Sequence, residues 1–343
     1  MAKILESDSY YRFLSTSLKS KDVVVQSLAG DASARRYYRA MLNEDSYVLM
    51  SWEPFTDVKN YPFLNVLEHF AKHDVHVPKV INVSKEEGFV LLEDLGDLTL
   101  ERKFWESQNP IHALEFYQRS IDEIIKIHYP CTADRKPEYS AFKIEFNTER
   151  LLWEINYARE HLLEKFLHLK FDDKQNAVLD KHFHAICEKI HQEPKFIAHR
   201  DYHSRNLMIK TGKMRVIDFQ DARLGAVQYD LVSLLRDSYV DLNEEVAEGL
   251  LNYYLEKRRE FIPKPVDREH FDKIYDLQSI QRCLKACGSF ASFFNTRNDT
   301  RYLKYIRSTL QRVRRALLKF PEHRELLDLL TDQGLFEKDI TPS

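Results

Sequence analysis

Across the first part of the chain, apolar residues fall in short runs separated by turn residues; further on they recur three or four positions apart. Val23-Val24-Val25, the run from Arg36 to Leu42 and the run from Tyr47 to Trp52 are β-branched and aromatic, with turn residues between them. Half-buried strands have that composition, so an antiparallel meander is predicted. Leu64, Leu67 and Ala71 then recur at helical intervals. Two more strand-like runs follow, Val80-Ile81-Asn82-Val83 and Phe89-Val90-Leu91-Leu92.

Past Glu93-Asp94-Leu95-Gly96-Asp97 the period changes. Segments near 112–128, 148–168, 174–192, 226–240, 243–261, 269–294 and 299–319 place apolar residues three or four apart, which predicts helices. One stretch departs from that pattern. Phe196-Ile197-Ala198 is a short apolar run, and Leu207-Met208-Ile209 and Met214-Arg215-Val216-Ile217 flank Thr211-Gly212-Lys213 like the arms of a hairpin. The expected fold is therefore α+β and bilobal. A small antiparallel β-rich lobe spans 1–95, a hinge lies near 93–97, and a larger α-rich lobe with an inserted hairpin spans 96–343.

Composition narrows the picture. A chain of 343 residues that is 43% hydrophobic can fill a substantial core. The net charge of −3, with charged residues of both signs, gives no reason to expect nucleic acid or a membrane surface as partner. The N-terminal MAKILESDSYYRFLS lacks the unbroken apolar stretch of a signal peptide, and no segment has the length of a membrane span, so a cytoplasmic location is expected. Cys131, Cys187, Cys283 and Cys287 are too few and too scattered for a disulfide framework and are expected as core thiols. His182, His184, His191, His199 and His203 crowd one stretch, but no Cys or acidic residue completes a zinc spacing, and Phe183, Ile186 and Ile190 already make that stretch a helix face. Arg307, Arg312, Arg314, Arg315 and Lys319 on the 299–319 helix are expected as a solvated outer face.

The candidate chemistry lies in HRDYHSRNLMIKTGKMRVIDFQD, from His199 to Asp221. A hydroxyl attacking a nucleotide's terminal phosphate must be oriented and must lose its proton, which a nearby carboxylate can do; Asp201 is the candidate base. The phosphates need a divalent cation held by hard oxygen donors, and Asn206 and Asp218 supply them. Asn206 stands five positions after Asp201, as in the H-R-D-x-x-x-x-N catalytic loop, and Asp218 takes the place of the Asp in D-F-G, with Gln220 where the glycine would be. ATP and Mg2+ are the implied cosubstrate and cofactor.

With 8 glycines in the whole chain, no G-x-G-x-x-G loop is present. The stretch Leu28 to Arg36 sits between the first two predicted strands instead, where a tight turn could aim Gly30 backbone and the Ser33 hydroxyl at phosphates. The phosphate-binding lysine expected on the third strand is replaced by Met50. Arg35, Arg36 and Arg39 on the neighbouring strand could supply the missing cation, and Arg36 is the preferred candidate. Backbone groups of the hinge, at Glu93 and Leu95, are expected to meet the adenine edge.

These residues resemble the aminoglycoside phosphotransferase and choline kinase superfamily, small-molecule kinases of protein-kinase-like fold. More narrowly, Gly30-Asp31-Ala32-Ser33 with Arg35 to Arg39, Leu91 to Asp97, His199-Arg200-Asp201 with Arg205 to Met208, Asp218 to Ala222 and Tyr229 to Asp237 are similar to the anomeric sugar kinases of bacterial cell-wall recycling. That resemblance implies transfer to the anomeric hydroxyl of N-acetylmuramate or N-acetylglucosamine, and Met50 fits the same subgroup. It also implies Asp201 as base, Asn206 and Asp218 on Mg2+, and Asp230, with His199, as supports of the catalytic loop. Arg205 and Asp221 border the predicted cleft and could contact the sugar, or pair with each other or with Arg223. Two alternatives stay open: an aminoglycoside or choline/ethanolamine-type phosphotransferase of the same fold, and a nucleotide-binding protein without turnover.

Overall fold

A computed structural model describes residues 8–28, 35–107, 111–338 and 340, so the predicted phosphate turn with Gly30 and Ser33 lies outside the described residues. The first lobe is built on five strands: β1 (Val24–Ser27), β2 (Arg36–Leu42), β3 (Asp45–Ser51), β4 (Val80–Ser84) and β5 (Phe89–Glu93). All pairings are antiparallel, in the order β1-β2-β3-β5-β4. The expected meander is borne out in β1 to β3, and the two later strands join it in reversed order. Phe89 to Leu92 are buried, so β5 takes the central place beside β3, while the more exposed β4 is left at the edge.

Each face of the sheet is covered differently. Helix α1 (Asp8–Leu18) packs Phe13 and Leu14 on Tyr38, Ala40, Leu49, Phe89 and Leu91. The other face carries Met50, Val90 and Leu92, which join α2 (Pro62–Lys72) and run without a break into the core of the second lobe. Helix α2 continues that core through Phe63 and Phe70, whose rings pack on Phe219.

The second lobe begins with α3 (Leu100–Glu106), capped by Thr99, whose side chain accepts from the Arg102 N–H. It continues with α4 (Ile111–Lys126), α5 (Thr148–Ala158) and α6 (Asp173–His191). The expected single helix at 148–168 turns π-helical over Arg159–Phe166, and α4 does the same over Ile127–Cys131. Then come β6 (Phe196–Ala198), the hairpin of β7 (Leu207–Lys210) and β8 (Lys213–Val216), and β9 (Arg223–Gly225), which pairs with β6. The hairpin turn is tighter than predicted: Thr211 and Gly212 both have positive φ, the backbone of a two-residue type I′ turn, and Lys213 already belongs to β8.

The remaining helices are α7 (Gln228–Leu235), α8 (Glu244–Arg258), α9 (Arg268–Arg297), α10 (Ile306–Leu317) and α11 (Arg324–Asp332). Helix α9 is the centre of a second apolar cluster formed with α5, α6, α10 and α11. It approaches α5 closely enough that a Cβ on Gly288 would stand 2.5 Å from Ala158 Cα. Arg312 is not part of a solvated face: it is buried and donates to the carbonyls of Arg236 and Val240, tying α10 to the loop after α7. All four cysteines are buried and unoxidised. No helix among the described residues is long and apolar enough to cross a membrane.

Candidate active site

A cleft of about 1170 Å3 separates the sheet from the helical lobe, lined on one side by Tyr37, Arg39 and Val48 and on the other by Asp201, Asn206 and Asp218. Its floor is the loop between β6 and β7. Buried Asp230, in the first turn of α7, fixes that loop by accepting the N–H groups of His199 (2.6 Å) and Arg200 (2.9 Å). Arg200 adopts φ +86, a costly backbone that those two bonds hold in place. His128, itself bonded to the Tyr254 hydroxyl, stands 3.3 Å behind the Asp230 carboxylate. The His199 ring donates through Nε2 to the Ile217 carbonyl (2.9 Å), so the loop and the end of β8 are held together. Asp237 secures the next turn by accepting the N–H groups of Ser204 (2.8 Å) and Tyr239 (2.9 Å).

That framework brings the three predicted residues into one corner. The Asn206 amide donates to the Asp201 carbonyl (2.9 Å) and to Asp218 Oδ2 (3.3 Å). Asp218 has φ +64, a left-handed conformation that Asp tolerates better than most side chains, and the chain kinks there as it leaves β8. With the Asn206 amide nitrogen engaged, its carbonyl oxygen and the Asp218 carboxylate are the hard donors suited to a divalent cation. Burial raises the Asp218 carboxyl; the Gln220 hydrogen bond opposes this, and the neighbouring Asp201 charge adds to it. A buried carboxylate beside a second one is the electrostatic situation that a bound cation relieves.

Asp201 is surrounded by cations, two of which, Lys285 and Arg282, the sequence had not singled out. Lys285 Nζ lies 3.1 Å and Arg282 Nη2 3.6 Å from Oδ1, and Arg200 Nε lies 3.8 Å from Oδ2. Burial alone would raise the Asp201 carboxyl, but Lys285, Arg200 and Arg282 outweigh it and hold it well below the usual carboxylate range. Asp201 is thus ionised at neutral pH, the state a proton acceptor needs.

Arg36, the preferred candidate for the phosphate cation, does not face the cleft. Along β2 only alternate side chains face the cleft, and these are Arg35, Tyr37 and Arg39, whereas exposed Arg36 lies on the opposite face with Tyr38 and Ala40. Arg39 is committed elsewhere. Its guanidinium donates to both oxygens of buried Asp94 (2.6 and 3.1 Å) and to Asp97 (2.9 and 3.1 Å). Arg35 therefore replaces Arg36 as the cation facing the cleft; it stacks 4.7 Å over Trp52 and its charge is felt at Asp218. Met50 is fully buried among Val90, Leu92 and their neighbours, so no polar group reaches the cleft from that position.

The hinge residues line the same cleft. Leu95 is buried against it, and the Glu93 side chain is taken up by Lys210 (3.0 Å), which also donates to the Asp94 carbonyl (2.7 Å). Arg205 and Asp221 do not pair with one another. Arg205 forks onto Glu101 (2.8 and 2.9 Å), donates to the Tyr305 hydroxyl and lies 3.7 Å over the Tyr239 ring. Asp221 faces Arg200 (3.3 Å) and Arg223 (3.6 Å).

Residues 24–263 match the phosphotransferase enzyme family. The chain belongs to this family. Among curated proteins, an N-acetylmuramate/N-acetylglucosamine kinase of Neisseria meningitidis is 30% identical over 321 residues, covering 93% of each chain. The protein of that name from Pseudomonas aeruginosa is 30% identical over 303 residues, covering 88% of this chain and 86% of its own. Among solved structures, a choline kinase from Streptococcus pneumoniae superposes with a TM-score of 0.59 at 16% identity, over 91% of this chain and 100% of its own. A choline/ethanolamine kinase family protein from Mesorhizobium loti gives 0.61 at 15% identity, over 94% and 98%. The fold is thus the bilobal, protein-kinase-like arrangement of these phosphotransferases, and the chain is a phosphotransferase. Lys285 and Arg282 stand three positions apart in the buried middle of α9, and only tertiary packing reveals that they converge on Asp201.

Proposed function

We propose that this phosphotransferase moves the terminal phosphoryl group of ATP to the anomeric hydroxyl of an amino sugar, N-acetylmuramate or N-acetylglucosamine, as part of cytoplasmic cell-wall recycling. The observation that carries the choice of acceptor is the sign of charge beside Asp201. Arg282 and Lys285 converge on Asp201 there, while Arg205 is paired with Glu101, Arg200 with Asp221, and the Asp237 carboxylate accepts two backbone N–H groups. An aminoglycoside or choline carries positive charge, which Arg282 and Lys285 beside the proposed base disfavour. A neutral or anionic sugar meets no such penalty. The names of the relatives that align over most of the chain support the same acceptors.

In this reading Asp201 orients the sugar hydroxyl and takes its proton as the new O–P bond forms and the bond to the departing ADP breaks. Asn206 and Asp218 would hold Mg2+, which would offset the negative charge of the phosphates. Arg35 faces the phosphates from the sheet, and the hinge at 93–97 receives the base. Asp230 and His199 keep the loop in register.

A coupled ADP-release screen of N-acetylmuramate, N-acetylglucosamine, kanamycin and choline tests the proposal, with phosphorus NMR of the product. Turnover of a sugar with an anomeric phosphate signal is the expected result. Preferential turnover of kanamycin or choline, or ADP release with none of the four, overturns it.

A further inference from the structure

Two of the cations around Asp201 form an ion pair with no other carboxylate among the described residues. Arg282 and Lys285 lie one turn apart on α9, their side chains 10% and 14% exposed, and both point at the same oxygen, Asp201 Oδ1, at 3.6 and 3.1 Å. Among the described residues these are their only ion pairs, whereas Arg200 also has Asp221 at 3.3 Å and Glu154 at 4.0 Å. The two cations are aimed at one carboxylate oxygen from a partly dehydrated wall, with the buried Glu154 carboxylate acting on them only from beyond ion-pair range, so an incoming anion meets two donors already converged on one point. Arg282 is also held in orientation, because its Nε donates to Ser233 Oγ at 3.1 Å.

We infer that Arg282 and Lys285 form an anion subsite that takes the carboxylate of an acidic sugar acceptor. This rests on the sugar-kinase reading above and assigns the residues that tell one sugar from the other. N-acetylmuramate carries a carboxylate on its lactyl ether and N-acetylglucosamine carries none. The position of the pair favours the acceptor over the nucleotide. Helix α9 packs against α5, α7 and α10 in the helical lobe, across the cleft from the strands that face the nucleotide. Farther along the same helix, Ser289, Phe290 and Phe293 line the cleft beside Tyr302, giving aromatic surface and a hydroxyl to a pyranose ring. The transferred phosphoryl group offers the same anionic chemistry, so the experiment separates the two sources.

Steady-state kinetics of the full chain with both sugars at saturating ATP is that experiment. For Lys285→Gln and for Arg282→Gln, kcat/KM on N-acetylmuramate relative to N-acetylglucosamine falls at least about 10-fold, mainly through KM, the worth of one charge-assisted hydrogen bond. Lys285→Arg keeps most of the preference. Unmutated protein gives a second readout independent of how well any variant folds: the uncharged carboxamide of N-acetylmuramate loses a similar factor relative to the acid. An equal loss on both sugars, with the ratio unmoved and the carboxamide as good as the acid, overturns the subsite and leaves the pair to the phosphoryl group or to Asp201. If unmutated protein turns over neither sugar, the sugar-kinase reading fails and the subsite falls with it. Turnover of both with an unmoved ratio removes the subsite alone.

Discussion

As the proposed base, Asp201 meets two conflicting demands, since that role asks it to accept a proton while the cations around it hold it strongly ionised. The geometry resolves this through position: a carboxylate fixed beside the attacking hydroxyl is worth more than a stronger base held loosely. Asp201→Asn is expected to lower kcat about 10²-fold or more in an ADP-release assay. Near-normal turnover in a folded variant would remove Asp201 from the reaction. On the sheet, the alternation of β2 makes a sharper claim than the sequence could. Arg36→Ala should leave the ATP KM within about twofold, while Arg35→Ala should raise it about 10-fold, about 1.4 kcal/mol of lost interaction. The reverse ranking would mean that the cleft face of β2 has been misread. Asp201, Asn206 and Asp218 were legible because they lie within one short stretch whose spacing is set by a loop and a hairpin. Arg282 and Lys285 were not, because α9 is distant in sequence and only tertiary packing brings it to Asp201.

Helices and strands show the same division between local and distant causes. Strand β2 runs over the residues its composition marks, and α6 closely matches the segment its apolar spacing marks. The order of β4 and β5 was not readable, since sheet position follows from which strand can be buried on both faces. The short helices α3 and α11 were missed for want of enough turns to show a period. Helix α2 carries a separate consequence for stability. Its His69 is fully buried, stacks on Tyr139 at 3.8 Å, and has no hydrogen-bond partner within ordinary geometry at either ring nitrogen. Burial, reinforced by neighbouring His73 and Lys72 and opposed by Asp134, pushes its pKa down from 6.5 to about 4. The folded state therefore favours the neutral ring. The stability this gives is complete above the unfolded value of 6.5 and is lost as pH falls from there towards 4. The loss approaches about 3 kcal/mol. His69→Phe keeps the stacked ring without the proton site, so urea midpoints of variant and parent should diverge in the variant's favour below pH 6.5. Parallel curves down to pH 4 would show that His69 is not the group responsible.

For the molecule as a whole, the decisive link is the one between sheet and hinge. Arg39 grips Asp94 and Asp97 from the cleft face of β2, and Lys210 reaches the hinge from the catalytic hairpin. Both lobes are thus tied to the same few residues that are proposed to receive the base. Arg39→Met should leave Asp94 buried without its main partner and cost about 1–3 kcal/mol of stability, with weaker nucleotide binding measured by calorimetry. Unchanged melting and unchanged nucleotide affinity would show that the lobes are held by the continuous apolar core alone.

The four buried thiols give this molecule built-in probes of local opening. Cys131 lies in the π-helical turn after α4, in the apolar core the two lobes share, Cys187 on α6, and Cys283 and Cys287 on α9, where Cys283 also touches the cleft. An alkylating reagent can reach each sulfur only when its surroundings part, so timed labelling followed by peptide mass spectrometry would rank these regions by how often they breathe. A ligand that fills the acceptor side should slow the clock at Cys283 first.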